Sequence, residues 1–167
     1  MSPFEHQSPL HYWGERANSE LAIVTKEQTF CWGELVALVS KIRLRFQQQG
    51  FAPSNVLLVV TQHSSLEALL VYLAALEEGV ICAFVPPLLD HDLQKRFTQL
   101  AAKACFVCPS VEHSNIGSTL QSFPKFQISE PSDGTFLTFS NNGSVLKGSK
   151  YDSQNITSLI FTSGSTG

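Results

Sequence analysis

The sequence predicts an α/β protein built on a mainly parallel, doubly wound sheet. Three observations carry that expectation. Unbroken apolar runs at Val56–Val60, Val80–Val85 and Cys105–Cys108 have the length of strands and no polar alternation, as strands covered on both faces do. The intervals between them have helical length, which parallel strands need for their crossovers. Each run also stops abruptly, against Thr61-Gln62-His63-Ser64, Pro86-Pro87 and Pro109 in turn. Ligands of such sheets bind beyond the carboxyl ends of the strands.

The elements follow in order. Ala22–Val24 reads as a short strand, and Lys26-Glu27-Gln28 as a polar turn leading to Thr29 and Phe30. A helix is expected over 32–49, because Leu35, Leu38, Val39, Ile42 and Phe46 recur at helical spacing. Gly50 stands where a left-handed cap belongs. A second helix spans 65–78 and ends at Gly79. Asp90 is positioned to cap a third helix running to about Lys103, with Leu93, Phe97 and Leu100 on one side. From Glu130 to Asn155 the texture turns to Gly, Ser, Asn and Lys, with Phe136–Phe139 as a candidate strand inside an irregular connection. Ser158–Phe161 is apolar again and runs into Thr162-Ser163-Gly164-Ser165-Thr166-Gly167. The expected division is an α/β subdomain over 1–129, a connection over 130–155, and a strand with the start of a loop over 156–167. A chain stopping inside a strand–loop unit reads as truncated.

Composition narrows the function classes. At 167 residues there is room for one domain, burying roughly 68–70% of its unfolded surface. The residues are 43% hydrophobic and 15% charged, enough for a core and unlike a disordered chain. A net charge of -3 offers no basic face for nucleic acid. The pairs Arg43/Arg45 and Lys95/Arg96 read as solvated helix faces. The Met1–Trp13 stretch has no signal-peptide run, and the apolar stretch Ala68–Leu76 is far shorter than the ~20 residues of a membrane span. Cys31, Cys82, Cys105 and Cys108 lie in or beside apolar segments, as reduced buried thiols of a cytoplasmic protein do.

The closing hexamer carries the chemistry. Glycines let backbone N–H groups curl around phosphate oxygens, and the hydroxyls of Thr162, Ser163, Ser165 and Thr166 add neutral donors or magnesium ligands. Taken alone, the hexamer also fits a Ser/Gly-rich surface turn. Preceded by Leu159-Ile160-Phe161, it resembles the phosphate-binding signature of the adenylate-forming superfamily, which runs aromatic-Thr-Ser-Gly-Ser/Thr-Thr-Gly and then a variable residue, Pro and Lys. Phe161–Gly167 match position by position. Upstream, Cys31-Trp32-Gly33-Glu34-Leu35 resembles the family's Thr-Tyr-x-Glu-Leu helix start, with Cys31 in the place of a capping Thr. That exchange should weaken the cap by ~1 kcal/mol. Gly50, Val56–Val60, Glu67–Leu76, Gly79 and Val85-Pro86 follow the family's order and spacing. Within the family, His11-Tyr12-Trp13, Cys31-Trp32 and the short approach to the loop are similar to bacterial 2-succinylbenzoate–CoA ligases of menaquinone synthesis, although the long 130–155 connection departs from them.

The resemblance implies the N-terminal subdomain of an ATP-dependent, AMP-forming acid–thiol ligase. Thr162, Ser163, Gly164, Ser165, Thr166 and Gly167 would bind the ATP phosphates, with Mg2+ and CoA as further partners and a small carboxylate as substrate. The family's aromatic-Gly-x-Thr-Glu segment, ribose-binding Asp and catalytic Lys do not occur in these 167 residues, so the chain by itself is expected to be inactive and to bind none of these ligands. A generic fatty or aryl acyl-CoA synthetase, a peptide-synthetase adenylation domain and a non-catalytic α/β binding module stay open as alternatives.

Other motifs are weaker. Gly143–Lys150 nearly matches a Walker A loop, but Ser149 precedes Lys150 where Lys must precede the hydroxyl. Cys105-Phe106-Val107-Cys108 has CxxC spacing inside a strand, where residues three apart face opposite ways, so neither a disulfide nor a metal is expected. His63 follows the first buried strand at the ligand edge, where a surface loop histidine is the plainer reading. His6, His11, His91 and His113 have no metal-ligand spacing.

Overall fold

The computed structural model describes residues 8–62, 65–87, 90–112, 122–128 and 156–160. The parallel α/β expectation is met. In chain order come α1 (Pro9–Arg16), β1 (Leu21–Val24), β2 (Thr29–Cys31), α2 (Trp32–Gln48), β3 (Val56–Val60), α3 (Leu66–Glu78), β4 (Ile81–Val85), α4 (Asp90–Gln99), β5 (Ala104–Val107), α5 (Pro109–Glu112) and β6 (Ser158–Ile160). The main sheet has the order β5-β3-β4-β6, and each neighbouring pair is parallel. From β3 the chain steps one way to β4, then back across β3 to β5. With the right-handed crossover of parallel strands, these opposite steps send α3 and α4 to opposite faces.

β3 is the centre. Leu57, Leu58, Val59 and Val60 are fully buried, each side chain contributing roughly 1.5–3 kcal/mol. The outer edge of β5 is covered by the 124–126 segment, where Cys105 N–H donates to Pro124 O at 2.8 Å and Phe126 N–H to Cys105 O at 2.9 Å. Phe126 then stacks on Phe46 with ring centroids 4.2 Å apart, and Phe51 meets both rings edge-on.

Backbone chemistry ends the helices. Beyond α2, Gly50 is left-handed at φ +70, with Gly50 N–H to Gln47 O at 3.0 Å and Phe51 N–H to Phe46 O at 2.8 Å. That is a Schellman closure with its usual apolar contact, Phe46 on Phe51. α3 closes likewise, through Gly79 at φ +68 and Val80 N–H to Ala75 O at 2.9 Å. α4 was expected to reach Lys103 and stops at Gln99. Ala101 turns left-handed at φ +46 and Ala102 N–H returns to Phe97 O at 3.0 Å, the same closure built without glycine.

Other expectations are corrected. Val80 lies just before β4 and Cys108 just after β5. Pro109 opens the short helix α5, as proline can at a first helical position. Neither α1 nor β2 was anticipated. α1 is capped by Ser8, whose Oγ accepts the His11 N–H at 3.4 Å, and β1 and β2 form an antiparallel hairpin. Arg43 does not lie on a solvated face. It is 5% exposed, with Nε 2.7 Å from Glu78 Oε1 and Nη1 3.8 Å from Glu77 Oε2, and so ties α2 to α3.

At the start of α2, Glu34 accepts the Cys31 N–H at 2.9 Å. The Cys31 side chain stands in the reciprocal position of a capping box, where sulfur is a poorer acceptor than a hydroxyl. All four cysteines are free thiols. Burial pushes the thiols of Cys82 and Cys105 up to about 12 and raises that of Cys108 as well.

Three outcomes follow. Gly79→Ala should cost about 2 kcal/mol, since the left-handed backbone alone costs ~1–2 and the new Cβ would stand 3.2 Å from Pro53 Cβ. Gly50→Ala, facing only the flexible Lys103 Nζ at 3.7 Å, should cost about 1 kcal/mol; urea unfolding midpoints that fail to rank the two this way would refute the argument. Cys31→Thr restores a hydroxyl cap and should stabilise by about 0.5–1 kcal/mol, read as a melting-point rise of roughly 1–4 °C.

The third concerns alkali. The fold holds the Cys82 and Cys105 protons more tightly than the unfolded chain does, so this stability is intact below the ordinary thiol range and is lost as pH rises toward about 12. At pH 10 each thiol should cost the fold about 1 kcal/mol relative to pH 8. A Cys82→Ala variant should show a shallower fall over that range; an unchanged slope would count against it.

Candidate functional site

β3, β4, β5 and β6 bring their carboxyl ends to one edge of the sheet. After β3, Thr61 stays against β4 through its N–H to Val85 O at 3.1 Å. Ser65 is the N-cap of α3, and its Oγ accepts the Ala68 N–H at 3.1 Å. The same hydroxyl donates to Cys108 Sγ at 3.5 Å, tying this turn to the end of β5.

A groove of about 600 Å³ opens beside this edge. Its base is Phe84 on β4, met edge-on by Tyr72 of α3 with centroids 5.7 Å apart. Leu66 and Leu69 form the α3 wall, and Ile23 and Thr25 of the hairpin form the other. Thr61, Gln62 and Ser65 supply hydroxyl and amide groups. None of the described lining residues carries a charge, and together they suit an uncharged, largely apolar group.

β6 lies beside β4 in parallel register, with Ser158 against Cys82, Leu159 against Ala83 and Ile160 against Phe84. Ile160 therefore reaches the same level of the sheet as Phe84, about 4.8 Å away across the ladder. Cys82 N–H also donates to Thr157 O at 3.2 Å. The strand expected before the closing hexamer thus exists and points toward the carboxyl edge. Thr162, Ser163, Gly164, Ser165, Thr166 and Gly167 themselves lie outside the described residues, as do His6, His63, His113, Phe136–Phe139 and Gly143–Lys150.

Among the described residues no group of His, Cys, Asp and Glu could hold a metal ion, and no helix is long and apolar enough to cross a membrane. His91 is exposed, with Nε2 3.3 Å from Asp92 Oδ1. His11 is buried on α1, 3.7 Å from Glu77 Oε2. Sequence reasoning missed the groove and the His11 neighbourhood. Leu66, Leu69 and Tyr72 recur at helical spacing, but that pattern also describes a core face, and periodicity by itself does not distinguish the two.

Several solved structures share this fold at low identity. Escherichia coli MenE, with a bound m-phenylether-linked analogue of OSB-AMS, superimposes with a TM-score of 0.71 at 19% identity, covering 95% of this chain and 32% of MenE. The O-succinylbenzoate coenzyme A synthetase (MenE) of Bacillus subtilis, in complex with AMP, gives a TM-score of 0.74 at 15% identity, covering 96% of this chain and 40% of that one. A benzoate CoA ligase from Burkholderia xenovorans gives 0.57 at 18% identity, covering 70% of this chain and 26% of the ligase. The chain thus spans about a third of the length of these proteins. No curated protein matches it significantly in sequence. The family model described as AMP-binding enzyme matches residues 10–167, from the first turn of α1 through the hexamer after β6, and the chain belongs to that family.

Proposed function

We propose that this chain is the N-terminal part of an ATP-dependent, AMP-forming acid–thiol ligase of the cytoplasm. The observation that carries the reading is β6: a parallel strand at the carboxyl edge that leads directly into Phe161-Thr-Ser-Gly-Ser-Thr-Gly167. In this reading the backbone N–H groups and hydroxyls of Thr162–Gly167 hold the β- and γ-phosphates of ATP. The hydroxyls of Thr162, Ser163, Ser165 and Thr166 suit Mg2+, a hard cation that takes oxygen ligands and neutralises phosphate charge when bound.

The chemistry is an exchange of leaving groups. A carboxylate oxygen attacks the α-phosphorus of ATP and pyrophosphate departs, giving an acyl-adenylate. A thiol sulfur then attacks the acyl carbon and AMP departs, giving a thioester. The hexamer's part is to hold the phosphates in place while charge moves onto pyrophosphate, a task for positioned donors. CoA is the thiol favoured by this reading and 2-succinylbenzoate the acid, which places the reaction in menaquinone synthesis. The likeness to the two MenE structures supports that choice.

The division of labour is proposed to follow the sequence: 1–129 forms the α/β subdomain, 130–155 an irregular connection, and 156–167 the strand and first part of the loop. The test is carboxylate-dependent exchange of labelled pyrophosphate into ATP. The 167-residue chain by itself should show none. The protein made from its natural reading frame should show it with 2-succinylbenzoate, with benzoate and a straight-chain fatty acid as comparison acids. There, Gly164→Val should lower exchange by about a hundredfold or more, since a branched side chain obstructs the backbone's approach to phosphate. Exchange by the short chain, or a well-folded long protein that exchanges with no carboxylate, would overturn the proposal.

A further inference from the structure

Two buried polar atoms have no hydrogen-bond partner among the described residues: Nε2 of His11 on α1 and Oγ of Ser40 on α2. His11 is 6% exposed and Ser40 2%. The proposed chemistry uses neither. Leaving a donor or acceptor dry and unbonded costs about 1–3 kcal/mol, so two of them in one small domain ask for a common cause.

Helix register brings the two residues together. At one end of α1, Gly33 N–H donates to Asn18 O at 2.9 Å and Trp13 stacks on Trp32. One turn further along α2, Val36 lies against Gly14, so close that a Cβ on Gly14 would stand 2.5 Å from Val36 Cγ2. Passing backwards along α1 is therefore passing forwards along α2. His11 lies three residues before Gly14, a rise of about 4.5 Å, and Ser40 four residues after Val36, a rise of about 6 Å. Both stay on the facing sides of their helices, because residues three or four apart share a face. The next turn of α2 agrees. Arg43 Nη1 is 3.8 Å from Glu77 Oε2, the carboxylate oxygen that His11 Nε2 approaches at 3.7 Å. Ser40 thus falls between Val36 and Arg43, at the level of His11.

We infer that the α1–α2 seam holds one internal water molecule, bound between His11 Nε2 and Ser40 Oγ.

The chemistry of the two groups selects this ligand. His11 and Ser40 do not bond each other, and the 3.7 Å approach to Glu77 is too long for a hydrogen bond. Glu77 and Arg43 hold further interactions of their own, and the site requires neither. Water donates and accepts, so it serves a hydroxyl and either tautomer of a neutral imidazole. The site therefore does not depend on the charge of His11. A metal ion would need more ligands, and no metal-binding group of His, Cys, Asp and Glu occurs among the described residues. Leu10, Val36 and Val39 are buried nearby on the same two helices, which makes the molecule slow to exchange with solvent. It links α1 to α2 through polar groups, beside the apolar docking of Leu10 and Trp13.

The experiment is water oxygen-17 relaxation dispersion, which counts long-lived internal waters, on the 167-residue chain and on Ser40→Ala, His11→Phe and the double variant. Each variant should show one long-lived water fewer than the parent. Urea unfolding of the same four proteins gives the coupling. Ser40→Ala in the parent should lower the folded-to-unfolded ratio about fivefold, because it strands the His11 nitrogen. With His11→Phe already in place, the same change should lower it by less than about twofold, since replacing both polar partners removes the need for the bridge. An equal count of long-lived waters in parent and variants overturns the inference. So does full additivity of the two substitutions. If one single variant does not fold, the water count of the other decides: loss of one molecule supports the site and retention refutes it.

Discussion

The peptide groups of Val56–Val60 set the terms for the rest of the chain. They are removed from water on both faces of the sheet, so each N–H and C=O must find a partner in the strands alongside. β4 and β5 supply them, in register along nearly the whole of β3. An all-apolar strand gives little side-chain guidance to that register, because a slip of one residue exchanges one aliphatic group for another. The amino ends provide the missing guidance. Ile81 N–H donates to Asn55 O at 2.9 Å and Lys103 N–H to Val56 O at 2.8 Å, so both flanking strands enter at fixed positions. Asn55 Oδ1 also accepts the Ala52 N–H at 3.0 Å and Lys103 Nζ at 3.3 Å. These polar contacts align the apolar ladder.

The helices must then stop where the strands require them to start. Three 6→1 closures, at Gly50, Gly79 and Ala101, reverse the chain within two or three residues of a helix end. At the first two, glycine meets the left-handed backbone without a side chain to strain it. At Ala101 a methyl group is carried in that conformation, which costs about 1 kcal/mol and is tolerated because Ala102 and Ala104 are buried immediately afterwards. Between α2 and α3, Arg43 and Gln47 bring polar groups to Glu77 and Glu78 across an otherwise largely apolar seam. Removing one partner of such a buried set is more damaging than the set is stabilising, so it acts chiefly to fix how the two helices lie together.

What the sequence made legible divides along a physical line. Interior strands were plain, because burial on both faces leaves an unbroken apolar run, and both glycine-ended helices were plain, because glycine marks a left-handed residue. The end of α4 was not, since Ala101 carries no such mark. α1 was missed because its eight residues draw their stability from docking, through Leu10 and Trp13, more than from their own periodicity. Arg43 was misread for a related reason: its neighbour Arg45 suggested a solvated face, and only tertiary packing brings Glu78, 35 residues away, onto its guanidinium. At the candidate site, the strand leading to the hexamer was legible and is present as β6. The groove was not, because Leu69 and Tyr72 have the same spacing whether another element covers them or not.

A hierarchy of dependence runs from the core to the site. β6 contributes three residues to the sheet and pairs with β4, and β4 is positioned by its five-residue ladder with β3. The level of Ile160 in the sheet is therefore set by its pairing with Phe84, which descends from the pairing of Val59 with Phe84. Phe84 also forms the base of the apolar groove. One residue of β4 thus joins the strand leading to the hexamer to the neutral pocket beside it. A change there acts on β6 and the groove together, because both depend on a single strand register.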